Sequence, residues 1–336
     1  LRAIEGNLLK LAEAHRDTVM AGRTHGQIGL PITFGFKAAV WASEVRRHIQ
    51  RMKEIKPRLE IGELAGGVGS LSSLGPRGLE LQAKFLARLG LRPPDITWVN
   101  ARDVLVEWFH LLTLLSGTAD KIGHEVYNLQ RPEIGEVTEG FVPGTVGSIT
   151  MPHKRNPEIA EHLGTLARLI RHNVNALAES LAHEHERDGR SWKVEWGVIG
   201  PACGMTGALL RLSKTMCAHL EVDSARMLAN LDATQGGVLS EGVMLALAKF
   251  VGKQTAHDLV YNSAMTAAKN HRLLKEALLE NPAVAQHLSV AELDALFDYR
   301  RQIGLCSQFV DRMAAFIRSS QAADVAFLGS QYFDPD

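Results

Sequence analysis

The stretch "VLVEWFHLLTLLSGTADKIGHEVYNL", residues 104–129, decides the fold. Its apolar positions Val104, Trp108, Leu111, Leu115, Ala119, Ile122, Val126 and Leu129 are separated by steps of 4, 3, 4, 4, 3, 4 and 3. That is the α-helical period; a strand would alternate by two. Ile159, Leu163, Leu166, Ile170, Val174, Leu177 and Leu181 repeat the pattern with steps of 4, 3, 4, 4, 3 and 4. Each segment reads as a helix of roughly 25 residues, about twice the usual globular length. Segments 34–58 and 194–220 read the same way. Asp103 is placed to cap the first helix, and Pro157 suits the first turn of the second. Several such helices stay in water only when packed side by side. The predicted class is all-α, a long up-and-down helical bundle extended by helices of other subunits.

The pattern changes near residue 236. "TQGGVLSEG" (234–242) is a glycine-containing break, and the helical runs beyond it are shorter, punctuated by Asn281-Pro282 and Ser289. The sequence thus predicts a bundle domain over 1–236 and a small helical domain over 237–336. The chain starts at Leu1 in mid-pattern, with Ile4, Leu8 and Leu11 already on a helix face. We expect a further N-terminal part to precede it.

Composition narrows the function. Lys plus Arg and Asp plus Glu both number 37, so the net charge is zero. A nucleic-acid partner would show as a basic excess. No apolar run reaches the ~18–20 residues of a membrane span. Cys203, Cys217 and Cys306 lie far apart. That fits structural thiols in a reducing compartment, here read as the cytoplasm.

Four short stretches carry candidate chemistry. In "GTVGSITMPHKRNPEIAEHLG" (144–164), Ser148 lies between glycines, ahead of Lys154, Arg155 and Asn156 and the start of a helix at Pro157. A helix N-terminus attracts anions and the two cations add full charge, so the place suits a carboxylate or phosphate. The same field favours the alkoxide of a nearby serine, which makes it a base as readily as a nucleophile. An ordinary Gly-Ser loop capping a helix has the same composition. In "AGRTHGQIGLP" (21–31), Thr24, His25 and Gln27 form a polar loop ahead of a helix expected from Ile32. In "NLQRPEIGEV" (128–137), Gln130 and Arg131 stand where the long helix must end at Pro132. In "LAHEHERDGRSWKVEW" (181–196), His183 and His185 suggest a metal, but two residues apart on a helix they would point about 200° from each other. No metal site is expected.

Together these stretches resemble the fumarase/aspartase superfamily. "GSITMPHKRNP" (147–157) looks like its signature, "GRTHGQ" (22–27) like its Thr-His motif, and "LQRPEIGEV" (129–137) like the adenylosuccinate lyase branch. The order and spacing fit over nearly the whole chain. The resemblance implies a homotetramer with active sites shared between subunits. It implies cofactor-free β-elimination on a succinyl-like small-molecule carboxylate, usually releasing fumarate by C–N or C–O cleavage. It implies that Ser148 removes the Cβ proton, that His25 protonates the leaving group and that Glu161 orients this histidine. It makes Thr24, Gln130, Lys154 and Asn156 substrate-binding residues. The chemistry is coherent. Removing a proton beside a carboxylate builds up negative charge, which fixed cations and N–H donors stabilise.

The branch is less sharply marked. "HEHERDGRSWKVEW" (183–196) and "NLDATQGGVLSE" (230–241) look like the 3-carboxy-cis,cis-muconate cycloisomerases, which form a lactone by intramolecular addition. That branch lacks the histidine–glutamate pair, matched here by His25 and Glu161. Adenylosuccinate lyases have the pair, but Trp192 and Trp196 stand where they place nucleotide-phosphate ligands, and only Arg187 is kept as a binding residue. We expect a true lyase. Cycloisomerisation, adenylosuccinate cleavage and a non-catalytic helical scaffold are the alternatives.

Overall fold

The computed structural model describes residues 1–140, 151 and 154–328. The chain runs α1 (Arg2–Ala14), β1 (Val19–Thr24), β2 (Gln27–Thr33), α2 (Phe34–Leu59), α3 (Gly78–Arg88), α4 (Asp103–Leu129), β3 (Val137–Thr138), α5 (Glu158–Ala178) and α6 (Gly189–His219). It continues β4 (Glu221–Val222), α7 (Ser224–Asp232), α8 (Ser240–Val251), α9 (Lys253–Lys269), α10 (Leu274–Leu279), α11 (Pro282–Ala285), α12 (Val290–Leu296) and α13 (Cys306–Leu328). The long helices expected from periodicity are α2, α4, α5 and α6. Two small antiparallel strand pairs, β1–β2 and β3–β4, interrupt them.

The chain forms two compact units. One comprises Leu1–Glu5, Glu44–Tyr127 and Phe141–His219; the other comprises Gly6–Ser43, Asn128–Gly140 and Leu220–Asp336. In the first unit the core face of α4 begins on Val106, Phe109 and Leu112, then follows Leu115, Ala119, Ile122 and Val126. The expected start on Val104, Trp108 and Leu111 is displaced onto the half-buried flank. This end of α4 is apolar nearly all round, so two faces satisfy the helical period equally. On α5, Leu163, Ile170, Val174 and Leu177 are buried, but the helix tightens into a 3₁₀ turn over Glu179–Leu181 that leaves Leu181 exposed. Helices α4 and α5 approach closely at Gly123, where an added Cβ would lie 3.2 Å from Leu163 Cδ1 and 3.4 Å from the Ala160 carbonyl oxygen. Arg171 donates to Asp120 across the same contact at 2.9 Å.

A half-buried polar chain joins α2 to α4 in this unit, with His48 its buried member. Thr118 Oγ1 donates to Glu44 at 3.1 Å, so it accepts from His48 Nε2 at 2.9 Å, and His48 Nδ1 accepts from Arg51 at 3.3 Å. The imidazole is therefore held neutral. Burial first, then the Arg51 guanidinium, pushes its pKa from 6.5 down to about 4. As pH falls through this window the unfolded chain takes up the proton first. The His48 contribution is thus complete above about pH 6.5 and is lost toward pH 4, by up to about 3 kcal/mol. We expect urea midpoints measured from pH 7.5 to 4.5 to fall less steeply for His48→Gln. Parallel curves would refute the assignment.

In the second unit α1 meets the start of α2 at Gly35, whose N–H donates to the His15 carbonyl at 2.8 Å. A Cβ there would press on the Ala12 carbonyl oxygen and stand 2.6 Å from that of His15 and 2.7 Å from Arg16 Cα. All three obstacles are backbone, which cannot rotate away. Gly35→Ala is expected to cost about 3 kcal/mol, read as a lowered urea midpoint at unchanged slope. Helix α13 covers this corner: Val310 packs on Ala12, Ala38 and Ala39, and Arg16 grips Asp311 through a two-point ion pair. Beyond Gly236, whose φ is 83°, a cluster of Val243, Leu247, Val260, Leu274, Leu278, Val284 and Leu293 forms the core of the C-terminal helices. The expected punctuation is capping. Asn281 caps α11, and Ser289 forms a reciprocal capping box with Glu292 on α12.

Candidate functional site

Thr24 and His25 do not lie in an open loop. Strands β1 and β2 pair antiparallel, with Thr24 opposite Gln27, so only His25 and Gly26 form the turn. Both have positive φ, 53° and 75°, as a type I′ hairpin turn requires. Glycine adopts this freely and histidine tolerates it better than most residues. The ladder continues with Val19 opposite Thr33, Met20 opposite Ile32 and Ala21 opposite Pro31, and α2 starts only at Phe34, not at Ile32. Thr24, His25 and Gln27 are exposed at the tip. The base of the hairpin is anchored where Val19 and Ala21 pack on Leu231 of α7.

Gln130 follows the last residue of α4 and accepts from the Glu139 N–H at 2.9 Å through its side-chain oxygen. Between these two residues the chain turns tightly, with Gly135 at φ 62° and the Glu136 N–H returning to the Leu129 carbonyl. Glu136 is fully buried. Its Oε2 accepts from Arg23 Nη1 at 2.8 Å, and its Oε1 accepts from Arg23 Nη2 at 2.6 Å and from Asn230 Nδ2 at 2.8 Å. Arg226 of α7 donates to the carbonyls of Glu133 and Ile134 at 2.9 and 2.8 Å, and Asn230 also holds Ile134. Arg23 precedes Thr24 in the chain, so the hairpin and the Gln130 segment share one buried ion pair. Sequence reading missed Arg23, Glu136 and Asn230. The available signal was that each lies inside a motif quoted for other residues.

Lys154, Asn156, Glu161 and Arg187 belong to the first unit. Ser148 lies outside the described residues. Lys154 is exposed and its N–H donates to the Met151 carbonyl at 2.9 Å; Asn156 is half-buried and its carbonyl accepts from Glu158. Pro157 is the N-cap residue of α5 and makes no side-chain cap. Glu158 and Glu161 occupy the first turn, where carboxylates complement the helix dipole. The positive field at this helix start therefore rests on Lys154 and Arg155 together with the dipole, against two nearby acids. Glu161 is exposed.

Arg187 lies in the irregular turn before α6. It donates to the Gly66 carbonyl at 2.9 Å, and its guanidinium sits 5.6 Å from the Trp192 ring centroid. Trp192 meets Trp196 edge to face at 5.5 Å, and Trp196 is 64% exposed. The turn is stiffened by Asp188, which accepts from the Arg190 N–H at 2.8 Å and the Ser191 hydroxyl at 2.9 Å. These bonds hold its carboxyl well below the ordinary range. His183 and His185 occupy the same turn and are not helical. Among the described residues no group of three His, Cys, Asp or Glu side chains could hold a metal.

A family model described as Lyase matches residues 1–171, and one described as Adenylosuccinate lyase C-terminus matches residues 236–313. The chain is 42% identical over 315 residues to an N-acetyl-S-(2-succino)cysteine lyase of Dickeya dadantii, covering 94% of this chain and 69% of that one. It is 37% identical over 324 residues to the adenylosuccinate lyase of Methanocaldococcus jannaschii, covering 96% and 70%. The crystal structure of 3-carboxy-cis,cis-muconate lactonizing enzyme from Pseudomonas putida superposes with a TM-score of 0.89 at 36% identity, over 95% of this chain and 71% of that one.

Proposed function

Because this chain belongs to the fumarase/aspartase superfamily, in the branch of adenylosuccinate lyases and carboxymuconate cycloisomerases, we propose that it cleaves succinyl thioethers or related succinyl adducts by β-elimination. It is a lyase acting on succinyl-like substrates. The observation that carries the leaving group is the 42% identity to a succinocysteine lyase over nearly the whole chain. This adds a C–S bond to the C–N and C–O bonds expected from the motifs. The half-buried Trp192 and exposed Trp196 beside Arg187 support it, since indoles suit an uncharged acyl or thioether group better than a nucleotide phosphate.

Ser148 takes the Cβ proton, the C–H electrons form the double bond, and the bond from Cα to the heteroatom breaks. His25 supplies the proton that the departing heteroatom needs; histidine is the side chain best matched to this near neutral pH. Glu161 orients His25. Lys154 and Asn156 hold the carboxylate on which charge builds, Thr24 and Gln130 bind the substrate beside it, and Arg187 faces the leaving group. The working protein is a homotetramer whose sites draw on several subunits, supported by the exposed Leu114, Leu169 and Trp196 on α4, α5 and α6. Residues 1–236 serve as the motif-bearing domain and 237–336 as the small C-terminal one. The cytoplasm is its compartment, in keeping with the free cysteines Cys203, Cys217 and Cys306. No described helix is long and apolar enough to cross a membrane.

The test is fumarate release from a panel of N-acetyl-S-(2-succino)cysteine, N-substituted aspartates and adenylosuccinate. Turnover is expected with the thioether and not with the nucleotide. Cycloisomerisation is the second reading, favoured by the likeness to the lactonizing enzyme. Loss of carboxymuconate absorbance without fumarate release would decide for it.

A further inference from the structure

The geometry points to Glu136 as the positioning residue that aims the Thr24-His25 tip, acting through Arg23. This rests on the reading of His25 as the acid. A two-stranded hairpin is marginally stable alone. Here its base is packed on Leu231, but its tip is solvent-exposed and lies beyond that contact. The described side-chain bonds that hold it nearest the tip are the two from Arg23 to Glu136, one residue before Thr24. A bidentate fork fixes direction as well as distance, which a lysine or a single bond would not.

The anchor itself is rigid. Glu136 is fully buried, and its carboxylate takes a third hydrogen bond from Asn230. Its own backbone carbonyl accepts from the Asp223 N–H at 3.0 Å, and Val137 pairs with Val222 in the β3–β4 ladder. The preceding carbonyls are clamped by Arg226. Gln130 begins the same segment, so a substrate-binding side chain and the acid-bearing tip are registered to one carboxylate. Both terminal nitrogens of Arg23 are given to Glu136, which makes Arg23 a strut and leaves anion binding to other cations.

The experiment compares substrates that differ only in how much they need a proton. A thiolate departs readily because its conjugate acid has a pKa near 8.5, whereas an amine must be protonated as the bond breaks. In full-length protein, Glu136→Gln and Arg23→Lys are expected to lower kcat for an N-succinyl amine by about 10- to 100-fold, since small misplacements of a catalytic group cost this much. The same variants should leave thioether kcat nearly unchanged, while KM rises alike for both substrates because Thr24 shares the tip. The double variant Arg23→Met, Glu136→Met restores an uncharged, packed pair and guards against loss of fold. It should recover Tm without recovering amine cleavage. Equal losses on both substrates, or full recovery in the double variant, would make the pair merely structural and overturn the inference. His25→Asn is the control. If it shows no selective loss with the amine, the reading of His25 fails, and the positioning role falls with it.

Discussion

Replacing His25 with asparagine is expected to reduce cleavage of an N-succinyl amine by about 10²- to 10⁴-fold while leaving the protein as stable as before. The two halves of this result have separate causes. His25 and Gly26 are the central residues of a type I′ turn, both at positive φ. Asn-Gly is the preferred pair for that turn, so asparagine keeps or improves the hairpin. It cannot donate a proton as an acid near neutral pH. The substitution thus removes the chemistry and keeps the geometry. His25→Val would confuse the two, because a β-branched residue is strained at this φ. The measurement is kcat on amine and thioether substrates alongside Tm. A variant as active as the parent on the amine would remove His25 from the mechanism.

Ser148→Ala should fail earlier in the reaction, and on every substrate. If Ser148 takes the Cβ proton, the leaving group is irrelevant to its loss, and turnover should drop by about 10⁴-fold for thioether and amine alike. A substrate deuterated at Cβ separates the two residues. Exchange of that deuterium with solvent should persist in His25→Asn and vanish in Ser148→Ala. Exchange retained without the serine hydroxyl would assign the base elsewhere.

The long helices were legible because apolar residues repeat with little interruption over about seven turns of α4 and about six of α5. Which face of α4 is buried was not legible at its start. Val104, Trp108 and Leu111 keep the period as well as Val106, Phe109 and Leu112 do, and only packing chooses the latter. The β1–β2 hairpin was missed for a different reason. Its turn is His-Gly, which carries a weaker signal than Asn-Gly, and the strands are short beside the helix that follows. Of the candidate site, the motif residues could be named because their types and spacing are distinctive. Glu136 could not, since its partner Arg23 stands 113 residues away and nothing local announces a buried pair.

The corner between α1 and α2 has a consequence for synthesis. Its small side chains Ala12, Ala38 and Ala39 find their cover in Val310 of α13. At about 5–20 residues per second, a ribosome needs roughly 15 to 55 s to travel from residue 39 to residue 310. Through that interval the corner has no cap to fold against, and the Arg16–Asp311 latch has no second half. Alanines are a tolerable surface for a nascent chain to show, where leucines in the same places would invite capture by neighbouring chains.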